Sequence, residues 1–165
     1  MNLEGLLEDL EAQGFFETYP KDYSEKQLTF TKYARVVLGD YSQKNILLSM
    51  PLIGEDFVAG FTKFNSRTAW VLIHKYSLVR LLDEFQEPQH SSIKISQILE
   101  QQLQGINIRI KLDDLEPELF GIITGVENEN LRFNSEQGMR LLLPIRSIGY
   151  VVVDKLSIQQ KVSAT

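Results

Sequence analysis

Between Lys32 and Asp154 the chain is written almost entirely in short runs of β-branched, aliphatic and aromatic residues, each closed by Gly, Asn, Asp, Ser or Pro. Five fall in the first half, KYARVVLG, NILLSMP, DFVAGFTKF, TAWVLIH and SLVRLL, and five in the second, INIRIKLDD, ELFGIITGV, NLRFNS, MRLLLPI and GYVVVD. Runs of this length bounded by turn residues are strands, and most of the gaps hold only a few residues. A parallel crossover needs a dozen residues or more, so the connections predict antiparallel pairing through tight turns. The run INIRIKLDD alternates strictly, with Ile106, Ile108, Ile110 and Leu112 on one side and Asn107, Arg109 and Lys111 on the other, which predicts one buried and one wet face.

Helical periodicity occurs twice. Leu3, Leu6, Leu7 and Leu10 form one apolar stripe over Asn2 to Gln13, with Gly14 as a stop. Ile95, Ile98, Leu99 and Leu103 do the same over Ile93 to Gln104, closed by Gly105. The polar stretch EFQEPQHSS before the second helix reads as a connector. The expected organisation is an acidic helix and arm over 1–28, a small β unit over 29–90, and a helix followed by a second β unit over 91–165. A chain of 165 residues suffices for one ordinary domain or for two small ones sharing a core.

The charge is uneven. The formal net charge is −5, and the first 28 residues account for it, with Glu4, Glu8, Asp9, Glu11, Glu17, Asp22 and Glu25 against Lys21 and Lys26. The remaining body is neutral and supplies no broad electrostatic footprint for nucleic acid. Without cysteine there are no disulfides, thiolate chemistry or common sulfur zinc sites, and His74 and His90 stand far apart with no nucleophile at useful spacing. Phosphate-cradling and dinucleotide glycine motifs are absent, so the expectation is a protein without catalytic activity, metal or cofactor. The acidic start lacks the basic segment of a secretory signal, and no apolar stretch is long enough for a membrane helix, which makes the cytoplasm the expected location with no membrane partner. Asp113, Asp114, Glu116 and Glu118 crowd one turn, but without the glycine and spacing of a calcium loop they read as solvated.

The two halves resemble each other when NILLSMPLIGEDFVAGFTKF is laid over NIRIKLDDLEPELFGIITGV, matching Asn45 to Asn107 and, with one residue of slippage, Gly60 to Gly121. A helix, a strand, a bent strand containing glycine, two further strands and a tight turn before a last strand is also the order of a known family. Gly121, Ile123, Val126, Glu127, Asn130 and Leu131 echo its first motif, and Ile145 and Arg146 its second, with Ser147 in place of a glycine. Residues 92–156 thus resemble the Sm-like family of small barrels. In the first half, His74, Lys75 and Tyr76 look like the turn of its bacterial Hfq branch. The resemblance implies a mainly β fold with short helices, built as tandem small SH3-like or Sm-like five-stranded barrels. It also implies an RNA base pocket at Asn130 and Arg146. The family's aromatic stacking position falls near Glu129, whose carboxylate cannot stack on a base and repels phosphate.

Each candidate residue has a second reading. Lys75, Tyr76 and Arg80, with Trp70 upstream, suit an aromatic and basic groove for single-stranded RNA, or Trp70 and Tyr76 fill a core while the charges are solvated. Arg146 reads as a base contact or as the partner of Glu127 or Asp154. One feature points to assembly by physical argument: Leu141, Leu142 and Leu143, and Tyr150, Val151, Val152 and Val153, are apolar on both faces of their strands. Such strands must be covered on both sides. They predict an interface with the first half of the same chain or with another subunit, with Pro144 interrupting continuous pairing. The function expected is a non-catalytic binding and assembly module recognising a protein partner or its own copies. The alternative is an Sm-like RNA-associated protein in which three chains imitate a six-membered ring.

Overall fold

The computed structural model describes residues 33–38, 45–64, 67–75, 78–82, 89–112 and 118–164, together with Gly5, Glu8 and Ala12, which are helical. The remaining positions of the N-terminal arm and its leucine stripe lie outside the described residues, as do Tyr76 and 113–117. The strand-like runs fold as strands: β1 (Tyr33–Leu38), β2 (Asn45–Ile53), β3 (Phe57–Phe64), β4 (Arg67–His74) and β5 (Leu78–Leu82) in the first half. The second half supplies β7 (Asn107–Leu112), β8 (Leu119–Glu127), β9 (Asn130–Ser135), β10 (Arg140–Pro144) and β11 (Ile148–Asp154). Between them stand a two-residue strand, β6 (Gln89–His90), and helix α1 (Ile95–Gln101).

Two elements depart from the sequence reading. The connector contains β6, which pairs in parallel with β2 through Leu52 and Gln89, and Ile53 and His90. A second helix, α2 (Lys155–Ala164), follows β11 and buries Ile158 in the core, while Leu156 is exposed. Helix α1 is shorter than its apolar stripe. Asp56, at the β2–β3 turn, accepts the Ile95 N–H through Oδ1 at 2.8 Å, and the Gln97 side chain accepts the Lys94 N–H at 2.8 Å. A carboxylate at a first-turn amide satisfies an orphan donor, so this helix of the second half is started by a residue of the first.

The strands form a single sheet in the order β10-β9-β8-β7-β11-β4-β3-β2-β1-β5, antiparallel throughout, with β6 attached to β2 off this path. The mainly β fold agrees with the expectation, while the tandem five-stranded barrels are not seen as closed sheets. Among the described residues the sheet is open, its outer strands being β10 and β5. The halves do not close separately because β11 bonds to β7 on one side and to β4 of the first half on the other. Both joining strands are apolar on both faces, and a continuous sheet covers both. Trp70, Leu72, Val151 and Val153 enter a large core that also takes in α1, β7, β8 and β9. Ala69, Val71, Ile73 and Val152 enter a second cluster with Leu48, Ile53 and Val58.

Each half nonetheless runs in the same spatial order, fifth strand, first, second, third, fourth. The registers correspond in detail. The last two strands of both halves are separated by three residues, 75–77 and 145–147. The pairing of first with fifth strand slips by one residue at the same place, past Val79 in one half and Gly149 in the other. Ser49 faces Phe61 as Ile122 faces Asn134, and within the next three residues the second strand of each half has a bulge. Strand β2 is therefore the counterpart of β8, and β3 of β9. The overlay of Asn45 on Asn107 in the sequence was displaced by one whole strand, because the same alternation of apolar residues recurs in neighbouring strands.

Gly121 leaves no room for a side chain against β9. A Cβ there would sit 2.1 Å from the Asn134 carbonyl oxygen, whereas one at Gly125 would meet nothing within 4 Å. Overpacking against rigid backbone costs about 1–3 kcal/mol. Gly121→Ala is expected to lower stability by about that amount in urea unfolding, while Gly125→Ala stays within about 1 kcal/mol of the parent, the small intrinsic effect of exchanging Gly and Ala.

Candidate functional site

The pair of residues marked by the family motifs is built by two turns of the second half. The β8–β9 hairpin closes over Asn128 and Glu129, whose φ angles are 50° and 62°. Positive φ at both central residues is the twist a two-residue hairpin requires, and Asn tolerates it better than Glu. The Asn130 side chain donates through Nδ2 to the Asn128 carbonyl at 3.1 Å, so its carboxamide belongs to the turn. Asn130 lies opposite Pro144, the end of β10, after which Ile145–Ser147 form a 3-10 turn. The Ile145 N–H donates to the Glu129 carbonyl at 3.0 Å and ties the two turns together. Asn130 and the exposed Arg146 therefore share one corner.

The two carboxylates considered for Arg146 each carry an ion pair with another arginine. Glu127 is held by Arg132, and Asp154 by Arg109 through Nη2 at 2.9 Å. Arg109 also lies 3.8 Å from Glu118, the one member of the acidic turn that is described. Glu118 in turn accepts a hydrogen bond from the Tyr150 hydroxyl at 2.8 Å. Burial, reinforced by this carboxylate, keeps the Tyr150 phenol protonated well above the ordinary tyrosine range. The corner offers Glu127 and Glu129 against Arg132 and Arg146, a balanced set without the excess of positive charge that phosphate needs.

The first half has the same corner, but part of it is covered. There the Lys75 N–H donates to the Asp56 carbonyl at 2.9 Å, the counterpart of the Ile145 bond. The Asp56 carboxylate faces α1, and the Glu55 N–H donates to Ile93 at 2.9 Å. Phe57, at the place of Asn130, is fully buried. Lys75 is exposed, and its Nζ donates to the Glu55 carbonyl at 3.1 Å. Trp70 lies in the core, not in a groove, with 1% of its surface accessible. Arg80 stands on the outer strand β5, so the structure does not bring Lys75 and Arg80 together with Asn130 and Arg146, and Tyr76 lies outside the described residues.

The residues expected at one interface are divided between two strands with different fates. Val151, Val152 and Val153 are fully buried, with Tyr150 half-buried, because β11 is seated between β7 and β4. Leu141, Leu142 and Leu143 lie on the outer strand β10; Leu143 is buried, Leu141 is half-buried, and Leu142 is 60% exposed. A groove of about 670 Å³ runs along the exposed face of β8, β9 and β10, with Thr124, Asn128, Asn134, Arg140 and Leu142 in its walls. Sequence reasoning missed this groove because the exposed positions of three strands form it only once their register is set. Among the described residues no group of His, Asp and Glu could hold a metal, and no helix is long and apolar enough to cross a membrane.

Two measurements check this geometry. The unfolded chain loses the Tyr150 proton near pH 10, whereas the folded chain keeps it, so folding stability falls as pH rises through and above that value. Tyr150→Phe is expected to flatten this alkaline loss in urea titrations on either side of about pH 10. Glu129→Gly removes the side chain from a left-handed position and is expected to raise stability by about 1 kcal/mol in thermal or urea unfolding.

Comparison of the chain with protein-family models, with characterised proteins and with solved structures returns no match, which leaves the geometry of the sheet edges and of this corner to carry the functional argument.

Proposed function

We propose that the chain is a non-catalytic assembly module made of two Sm-like units, whose outer strands take up further strands by edge pairing. The observation that carries this reading is the junction between β4 and β11. The fourth strand of one unit and the fifth of the other already form an edge-to-edge contact of the kind proposed, and a fourth and a fifth strand remain at the ends of the sheet. An outer strand presents a row of unpaired backbone donors and acceptors, which natural proteins blunt with charge, proline or a covering element. On β10 that edge carries the exposed Leu142, with the exposed Met139 just before it. Strand addition gains backbone hydrogen bonds and selects its partner through alternate side chains.

Binding of single-stranded RNA at Asn130 and Arg146 is the second reading, favoured by the two turns that bring those residues to one corner. Against it stand the balanced charge, the Asn130 carboxamide engaged in its own turn, and Glu129 at the place of a stacking aromatic. Titration of labelled U-rich and A-rich RNA at low and high salt separates the two. The assembly reading expects no binding at low salt. Binding that weakens steeply with salt and is lost in Arg146→Ala would replace it with the RNA reading.

A further inference from the structure

The correspondence of the halves extends to the cross-strand pairs of their third and fourth strands. Ala59 faces Leu72 as Arg132 faces Leu142, Phe61 faces Trp70 as Asn134 faces Arg140, and Phe57 faces His74 as Asn130 faces Pro144. In the first half Phe57, Ala59, Phe61, Trp70 and Leu72 are at most 1% exposed, because they are sealed into the large core with α1 and the second half. In the second half the corresponding residues Asn130, Arg132, Asn134, Arg140 and Leu142 line the open groove. An apolar body seated there as the second half is seated on the first would strip Arg132, Asn134 and Arg140 of water without giving them partners, which is costly. This face is therefore not built to receive a second copy in the way the halves receive each other.

Charge indicates what does fit. The groove holds two guanidiniums, Arg132 and Arg140, against one carboxylate, Glu127, which Arg132 already binds. Among the described residues no carboxylate pairs with Arg140, and its cross-strand neighbour Asn134 is likewise exposed. A guanidinium fork takes a carboxylate through two parallel hydrogen bonds. A nucleic-acid strand fits less well, since Phe133, the one aromatic residue of the lining, is 1% exposed and cannot stack on a base, and Glu127 repels phosphate. Leu142 stands two residues from Arg140 on the same face, a separation of about 7 Å along the strand, which is that of alternate side chains in another extended segment. We propose that this groove binds an extended acidic segment of a partner protein, with a carboxylate seated on Arg140 and, two residues away in the segment, an apolar side chain on Leu142. The site is the face of the sheet rather than the backbone edge of β10, so its occupancy is independent of edge pairing.

Fluorescence anisotropy of a short labelled peptide with the repeat Leu-Ser-Asp-Ser, titrated with the full chain, reads the site. The peptide is expected to bind the parent at low salt and to weaken as salt rises, and the same repeat with Asn or Lys in place of Asp is expected to bind about tenfold more weakly or not at all. Arg140→Glu, a change at an exposed side chain, is expected to weaken the Asp peptide about tenfold, to confer binding of the Lys peptide, and to leave the circular dichroism spectrum unchanged. The proposal is overturned if the Asp peptide does not bind at low salt, if Arg140→Glu leaves its binding intact, or if the Asn peptide binds equally well. Three further results would overturn it by naming a different occupant. RNA binding that Arg140→Glu abolishes would place nucleic acid on this face, and a parent multimer that Arg140→Glu dissolves would place a second copy there. An Asp peptide that binds only once the seven acids of residues 1–28 are changed to their amides would make the chain's own arm the occupant.

Discussion

Two strands with no wet face, β4 and β11, can be stable only beside each other. Val151, Val152 and Val153 alternate between two cores, Trp70, Val71 and Leu72 do the same across from them, and all are almost completely buried. Each such side chain contributes about 1.5–3 kcal/mol when removed from water, so neither strand could serve as an outer strand without exposing half of that surface. Their pairing forces the two halves into one sheet and gives them a common core. It also decides that the second half's opening helix is started by Asp56, since the β2–β3 turn of the first half then lies beside it. The unit that folds is the whole sheet, although its architecture is visibly repeated.

The two halves share a strand order but differ in their surfaces. The covered corner of the first half holds Phe57 and Asp56, one buried and one facing a helix. The open corner of the second half holds Asn130 and Glu129 in their places, polar residues compatible with water. Along the fourth strands, Trp70 in the covered copy corresponds to Arg140 in the open one, a core residue against a solvated residue. Leu72 and Leu142 break this pattern, because the exposed copy keeps its leucine.

The polar group of Arg109, Asp154, Glu118 and Tyr150 supports the junction from one side. It links β7, the start of β8 and the end of β11, and so holds the joining strand against its own half while Val152 and Tyr150 engage the other. Largely buried, hydrogen-bonded charges contribute little net stability, but leaving one unpartnered is costly, so the group disfavours alternative registers of β11.

The amino-acid sequence by itself determined the strands, their tight connections and the apolar character of both faces of β11, because strand alternation and turn residues are local properties read over a few positions. Lys75, Asn130 and Arg146 could likewise be placed at turns. Which strands meet was decided by tertiary structure. Local alternation repeats every two residues in every strand and so permitted an overlay of the halves displaced by one strand; only hydrogen-bond register distinguishes the alternatives. The same limit hid the pairing of Asp154 with Arg109 and of Glu127 with Arg132, since an ion pair across strands depends on register rather than proximity in the chain. Helix α2 was not legible because, among its residues of described burial, Ile158 alone is buried, and β4, one of the two strands it contacts, is distant in sequence. The separation of the apolar strands into a filled junction and an outer strand arises only when β11 finds β4.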